Sequence, residues 1–254
     1  MAPYALKIDA RRRKILETLE QEGRVSVARL SEDLGATVVT IRSDLNALAR
    51  DGFLERIQGG AIRKTRVQPQ RPSAACVEEK KAIAAATARL IRDGDTLFIN
   101  SGSTTHQLAL ALKERRNLQI VTNSVPVAAE LNSIAGFRVI LLGGTLDPQY
   151  LYTSGGDAQE QLEKYQADYA ILSLDGVSLA AGITTHHADE AIIDRLMVER
   201  AAHTWILADH TKMGRAGFSL VCPLRQVHTV ITDSACAEAA AQTIREAQVR
   251  VITA

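Results

Sequence analysis

Two groups of residues in this 254-residue chain have side chains and spacings suited to chemistry. The first is Val39, Arg42, Ser43, Asn46 and Arg50, which share one face if the stretch is helical. Arginine and asparagine make bidentate contacts with purine edges, serine bonds to bases or phosphates, and valine packs on a thymine methyl. Thr37 and Thr40, at the head of the same stretch, complete this set of candidate DNA contacts. The second group is scattered: Asn100-Ser101-Gly102-Ser103-Thr104-Thr105, Thr122-Asn123-Ser124, Gly143-Gly144, Asp175-Gly176 and Asp209-His210-Thr211-Lys212. Each follows or ends an apolar run that reads as a strand. Glycine allows close backbone approach, hydroxyls donate, and a following helix presents free N–H groups to an anion. Lys212 can neutralise a phosphate or hold a sugar oxygen, and Asp175 can accept from sugar hydroxyls.

The first group needs a helix-turn-helix to present it. Ser26 suits the N-cap of a helix whose Val27, Leu30 and Leu34 form one apolar face, and Gly35 supplies the turn. Thr37 can cap a second helix to about Arg50, with Ile41, Leu45 and Leu48 facing the core and the candidate DNA contacts facing outward. Phe53 to Ile57 reads as a strand and Gly59-Gly60 as its turn. Arg56, Arg63, Lys64 and Arg66 then become phosphate-contacting charges along a hairpin. A plain three-helix packing unit with a solvated basic edge is the competing explanation. Charge argues against it: through position 71 there are 14 Lys/Arg against 9 Asp/Glu, whereas the remainder has 16 against 20. The basic portion coincides with the helix-turn-helix, as an electrostatic footprint for nucleic acid requires.

The second group needs an alternating α/β domain. Helical patterns over 80–91, 105–115, 126–133, 158–165, 189–201 and 235–247 alternate with strand patterns over 96–100, 118–122, 138–142, 169–174, 204–208, 229–232 and 249–252. Such alternation implies a mostly parallel sheet covered on both faces, with ligands bound beyond the carboxyl ends of its strands. Taken singly, each polar cluster is an ordinary cap or turn, and Lys212 an ordinary loop lysine. Five of them at strand ends point to a phosphorylated ligand. Thr184-Thr185-His186-His187 reads as a loop facing ligand or solvent, since adjacent histidines point apart and do not suit a metal. The rival from another class is an aldose-ketose phosphate isomerase with Asp175 and Lys212 as base and enediolate stabiliser. Here Asp175-Gly176 is followed by Val177-Ser178-Leu179, without further acids.

No stretch is long and apolar enough to cross a bilayer, and the start MAPYALKIDARRRKIL lacks an apolar signal core, so a cytoplasmic location without membrane contact is expected. Cys76, Cys222 and Cys236 are widely spaced with no CxxC, indicating neither a disulfide framework nor a zinc site. They read as small apolar residues, and neither metal nor cofactor is expected. The segment Arg66 to Ser73, with Pro69 and Pro72, reads as a linker.

These motifs, in this order, resemble the DeoR-type (DeoR/GlpR) family of bacterial transcriptional regulators. At the front, that family's Thr-Ile-Arg-Arg-Asp-Leu, Gly-x-Leu-x-Arg and His-Gly-Gly-Ala stand as Thr40-Ile41-Arg42-Ser43-Asp44-Leu45, Gly52-Phe53-Leu54-Glu55-Arg56 and Gln58-Gly59-Gly60-Ala61. Behind, the matching pieces run from Asn100 to Thr105, then Val121-Thr122-Asn123-Ser124, Leu142-Gly143-Gly144, Gly182-Ile183-Thr184-Thr185 and Ala208-Asp209-His210-Thr211-Lys212. Ser43, Gln58 and Asn100 replace the family's Arg, His and Asp. The resemblance implies a winged helix-turn-helix domain over 1–65, a linker over 66–77, and over 78–254 a sensor domain similar to the ribose-5-phosphate isomerase fold. It further implies a non-enzymatic repressor of carbohydrate catabolism genes, released from double-stranded operator DNA by a phosphorylated sugar, and acting as a homo-oligomer, dimer or tetramer.

Overall fold

The structure, a computed structural model, describes residues 10–50, 54–63 and 76–254. The chain divides into two compact units, residues 1–68 and 69–254. Lys64, Arg66 and the proline-bearing linker segment lie outside the described residues, as do Gly52 and Phe53 and the side chains of Arg50 and Arg63.

The first unit runs α1 (Ala10–Glu22), β1 (Arg24–Ser26), α2 (Val27–Asp33), α3 (Val38–Arg50), β2 (Leu54–Ile57) and β3 (Gly60–Arg63). Ser26 caps α2 as expected, its hydroxyl accepting from the Arg29 amide at 3.2 Å. Gly35 turns the chain at φ +59°, and the Thr37 hydroxyl accepts from the Thr40 amide at 3.2 Å to open α3. Val27 and Leu30, then Ile41, Leu45 and Leu48, meet Ile15 and Leu19 of α1 in one core. Fully burying each such side chain contributes about 1.5–3 kcal/mol.

Sequence reasoning missed α1 because charged residues dominate it and only Ile15, Leu16 and Leu19 reach the core. Its arginines are not simply a charge cloud for DNA. Arg11 Nε and Arg12 Nε lie 2.6 and 2.9 Å from the two carboxylate oxygens of buried Asp44 on α3. Burial works against that carboxylate, yet the two guanidiniums outweigh it and hold Asp44 below its ordinary value. The expected Gly59-Gly60 turn is shifted by one residue. Gln58 and Gly59 make the turn, with Gly59 at φ +76°, and Gly60 opens β3 opposite Ile57 and Ser26. A Cβ on Gly60 would sit 2.1 Å from the Val25 carbonyl oxygen, so glycine is there for the close packing of β1 on β3.

The second unit begins with α4 (Val77–Leu90), β4 (Thr96–Ile99), α5 (Ser103–Ala111), β5 (Gln119–Thr122), α6 (Val125–Leu131) and β6 (Arg138–Leu141). It continues through β7 (Thr145–Leu146), β8 (Thr153–Ser154), α7 (Gly156–Leu162), β9 (Ala167–Ser173), β10 (Gly176–Ser178), β11 (Gly182–Thr185) and α8 (Ala188–Glu199). It closes with β12 (Ala201–Leu207), β13 (Ser219–Cys222), β14 (Thr229–Thr232), α9 (Glu238–Glu246) and β15 (Arg250–Thr253). Seven strands form one sheet in the order β15-β14-β12-β9-β4-β5-β6, every pair parallel. Strand alternation sends Phe98, Ala170, Leu172, Ile206 and Val230 into a core with Leu162, Ile193 and Ile244. It sends Leu97, Ile99, Ile171, Leu207 and Ile231 into a second core with Ile83, Leu108 and Val127. Both faces are therefore covered, as the apolar runs imply.

Two antiparallel additions fall where the sequence reads as loop. One is the hairpin β7–β8; the other is a three-stranded sheet ordered β10-β11-β13. Their strands are too short and too rich in glycine, serine and threonine to show a hydrophobic period.

Candidate functional site

In the first unit the outward face of α3 is open. Val39 is 75% exposed, and Arg42, Ser43 and Asn46 are exposed and make no hydrogen bond to the described residues. Thr37 and Thr40 serve the helix start, their hydroxyls 2.9 Å apart. Arg56 is half-buried, and one of its N–H groups donates to the Gly60 carbonyl at 2.8 Å, bracing the hairpin turn. An exposed helix with arginine and asparagine one turn apart, beside a three-stranded antiparallel wing, is the arrangement that reads a major groove.

In the second unit the seven parallel strands end along one edge, which gathers Asn100, Thr122-Asn123, Asp175 and Asp209. A connected network forms there. The Asn100 amide nitrogen donates to the Ser173 carbonyl at 3.1 Å and to Asp194 at 3.2 Å, while its oxygen accepts from the Ser173 amide at 3.0 Å. The Ser101 hydroxyl donates to Glu190 at 2.6 Å. The Thr185 hydroxyl lies 3.2 Å from carboxylate oxygens of both Glu190 and Asp175. Asp175 also accepts from the His186 amide at 3.0 Å and from Lys212 Nζ at 3.3 Å. Burial opposes ionisation of Asp175, but the His186 amide and the Lys212 ammonium prevail and hold it below 3.8. Tyr150 packs its ring 4.5 Å from that of His187, which is how the histidine pair meets its surroundings.

The structure does not use all the expected residues alike. Gly102 must be glycine, because a Cβ would meet the Ser173 Cβ at 2.9 Å. Ser103 and Gly102 remain partly open at the start of α5. Thr104 and Thr105 are buried, and the Thr105 hydroxyl is turned back onto the Asn100 carbonyl at 3.0 Å. Thr122 is fully buried, and its hydroxyl accepts from the Ser124 amide at 3.0 Å. Buried Asn123 donates to the Thr153 carbonyl at 3.4 Å, and its side-chain oxygen has no hydrogen-bond partner among the described residues. The Gly143 amide donates to the Gln161 side chain, and a Cβ on Gly144 would sit 2.4 Å from the Ser154 carbonyl oxygen. Gly143 thus spends its amide on Gln161, and Gly144 is glycine for close packing against β8 and α7. Gly176 likewise gives way to the Arg215 carbonyl, 2.5 Å from its would-be Cβ.

Sequence reasoning missed Glu190 and Asp194, the acids at the centre of this network. Burial pushes the Glu190 carboxyl up to about 7, against the hydroxyls of Ser101 and Thr185, which favour its charged form. Burial, then the charge of Glu190, raises Asp194 well above 3.8. The available signal was their spacing: four apart on α8, they share a face with buried Met197, so acids occupy core positions of an amphipathic helix. Cys76, read from the sequence as a small apolar residue, has polar neighbours. It is half-buried, not a core residue, and its sulfur lies within 4.8 Å of ligand atoms of Asp209 and His210.

A winged helix-turn-helix joined to an α/β unit with a polar strand-end network defines a DNA-binding regulator with a sensor domain. Comparison with known proteins gives the family. Residues 11–67 match the DeoR-like helix-turn-helix domain and residues 75–234 the DeoR C-terminal sensor domain. The transcriptional repressor AccR of Agrobacterium fabrum is 31% identical over 229 residues, 88% of this chain and 89% of that protein. The glycerol-3-phosphate regulon repressor of Escherichia coli K12 is 32% identical over 232 residues, 90% of this chain and 92% of that one. Among solved structures, ribose 5-phosphate isomerase A from Methanocaldococcus jannaschii is 14% identical, covers 54% of this chain and 55% of its own, and has a TM-score of 0.41. The chain belongs to the DeoR family of DNA-binding transcriptional regulators. Among the described residues no helix is long and apolar enough to cross a membrane.

Asn100, where the family pattern has aspartate, has a physical reading here. Its amide donates to Asp194; an ionised aspartate in its place would add a further carboxylate beside Asp194 and Glu190.

Proposed function

We propose that this protein represses carbohydrate catabolism genes in the cytoplasm and leaves its operator when a phosphorylated sugar or related metabolite binds the sensor. The observation that carries the reading is the Lys212–Asp175 ion pair, each side chain about one-third exposed (32% and 31%), at the edge of the buried polar network. An exposed pair of this kind is worth little by itself, so an arriving phosphate can take the ammonium at small cost. The partly open Gly102-Ser103 backbone at the start of α5 supplies amide donors for the same anion. Asp175, released from Lys212, then accepts from a sugar hydroxyl, with Ser101, Thr185 and Glu190 holding it in place from behind. The E. coli relative's name, a glycerol-3-phosphate regulon repressor, agrees with a small phosphorylated polyol as effector class.

Release requires that the effector bind the operator-competent and operator-incompetent states unequally. Paired recognition helices match two half-sites of a palindromic operator, so the working species is a homo-oligomer, at least a dimer. A monomeric mass at concentrations that saturate the operator overturns that part of the proposal. Lys212→Ala tests the effector site: operator affinity stays as in wild type, while the effector concentration for release rises about tenfold to a hundredfold, the worth of a charge-assisted hydrogen bond. Wild-type release by the variant removes Lys212 from the site.

One feature favours an isomerase instead, namely a carboxyl titrating near neutrality, Glu190, in the same network as a lysine. Both oxygens of buried Glu190 are already engaged by Ser101 and Thr185, and Asp175 is held below its ordinary value, so neither carboxyl combines a proton affinity near neutrality with an oxygen open to a ligand. Pentose and hexose phosphates incubated with the protein in heavy water keep their carbon-bound protons by NMR if the regulator reading is right. Deuterium incorporation next to the carbonyl carbon revives the enzyme.

A further inference from the structure

We propose that Cys76, Asp209 and His210 form a zinc site at the carboxyl ends of β12 and β14. The Cys76 sulfur, an Asp209 carboxylate oxygen and an imidazole nitrogen of His210 lie within 4.8 Å of one another. Zinc bonds of about 2.0–2.3 Å bring three tetrahedral ligands to about 3–4 Å apart, so a modest closure suffices. Thiolate, imidazole and carboxylate together suit Zn2+ better than the all-oxygen preferences of Mg2+ or Ca2+. A fourth position is left for water.

The surroundings are those of a metal site. His210 Nδ1 is 3.0 Å from Oδ1 of Asp233, and the His210 backbone amide donates to Oδ2 of the same carboxylate at 2.7 Å. A carboxylate so placed orients the ring and leaves Nε2 as the ligand nitrogen. Asp209 is fixed in turn by the Thr211 amide and hydroxyl, which donate to its Oδ1. Both Asp209 and Asp233 are buried, each 2% exposed. Among the described residues the carboxylates of Asp209, Asp233 and Glu79 and the ammonium of Lys80 on α4 act on the thiol, so the site is negatively charged overall, as a bound cation requires.

The position of Cys76 is informative as well. It precedes α4 in the left-handed conformation, φ 56° and ψ 41°, and its side chain caps nothing. For a residue with a Cβ this costs about 1–2 kcal/mol, and glycine would adopt it freely. Bound zinc would tie the residue that follows the interdomain segment to the loop that carries Lys212, two positions beyond His210. This inference does not rest on the effector reading.

Titration of the metal-free full-length chain with Co2+ tests it. One equivalent is expected to bind with a thiolate-to-cobalt charge-transfer band and the intense visible bands of four-coordinate cobalt, and Zn2+ is expected to displace it. Cys76→Gly, which relaxes the backbone, abolishes the charge-transfer band, whereas Cys222→Ala and Cys236→Ala keep it. Asp233→Asn weakens zinc about tenfold to a hundredfold, as loss of a carboxylate behind a histidine ligand does. A cobalt complex without the thiolate band overturns the proposal. So does a band that persists in Cys76→Gly, or zinc affinity equal in Cys76→Gly and wild type.

Discussion

The reading face of α3 and the strand-end network of the sensor solve opposite problems. On α3 the candidate DNA contacts Val39, Arg42, Ser43 and Asn46 are exposed, and Ile41, Leu45 and Leu48 position the helix from beneath. In the sensor the working side chains are largely buried and hold one another, from Asn100 through Asp194 and from Ser101 through Glu190 to Asp175 and Lys212. A face that meets a large polyanion can be left in water until the partner arrives. A pocket that must distinguish small polar molecules has its donors and acceptors fixed beforehand, and fixing them means burying charge. The two regions should therefore respond differently to pH and to single substitutions.

The largest difference expected is in pH dependence near neutrality, which among the described residues belongs to the sensor. Glu190 is pushed up to about 7 from 4.5, and Asp194 is raised too, so the folded chain holds their protons more tightly than the unfolded chain. Their contribution to stability is fully present below about pH 4.5 and is lost as pH rises through about 7, amounting to about 3 kcal/mol for Glu190 at about 1.4 kcal/mol per unit. The lowered carboxyls, Asp44, Asp168, Asp175 and Asp233, act below their ordinary 3.8 and leave this range untouched. His228, lowered by burial, opposes the trend by losing stability as pH falls through the range below 6.5. The comparison is thus between chains. Glu190→Gln with Asp194→Asn should gain stability over wild type progressively from pH 5 to pH 8 in denaturant unfolding. A gap that does not change with pH means the acids are not buried as described.

The same contrast explains what could be read beforehand. The helix-turn-helix rests on local signals: Ser26 and Thr37 as caps, Gly35 as the turn, and apolar residues at helical spacing over about twenty-five positions. The seven parallel strands were likewise visible as apolar runs, each close to its observed limits. What stayed hidden depends on contacts between distant positions. Asn100 meets Asp194 because β4 lies beside β9 and α8 packs on β9, and Cys76 comes near Asp209 because α4 packs on β14, the neighbour of β12. The order of strands cannot be seen in any one strand. The glycine pair at 143–144 is legible only as a mark of close approach; that Gln161 and Ser154 are among the approaching groups depends again on distant contacts.

A smaller effect, confined to the first unit, tests whether exposure there means base reading. Arg42→Ala and Asn46→Ala should each cost about 1–3 kcal/mol in operator binding, roughly fivefold to 150-fold, because a bidentate base contact is worth that much. Both side chains are exposed, so unfolding free energy should shift by no more than about 0.5 kcal/mol. Titration of operator and random duplexes at one fixed salt concentration separates the two roles. If both duplexes lose affinity equally, the residue contacts phosphate, and α3 supplies position rather than sequence discrimination.

The smallest expected effect places a residue on the boundary between framework and face. Thr37 was counted among the candidate DNA contacts, yet its hydroxyl already accepts from the Thr40 amide at 3.2 Å and lies 2.9 Å from the Thr40 hydroxyl. As a cap alone, Thr37→Ala costs about 1 kcal/mol of stability, and Thr37→Asn or Thr37→Ser restores it. As a phosphate contact as well, it lowers operator affinity in the folded protein, and serine restores both properties while asparagine restores stability only. Unfolding and operator titrations on the three variants therefore sort the roles. Full recovery of binding with asparagine makes Thr37 framework, and moves the edge of the DNA-reading surface one turn inward, to Thr40 and Arg42.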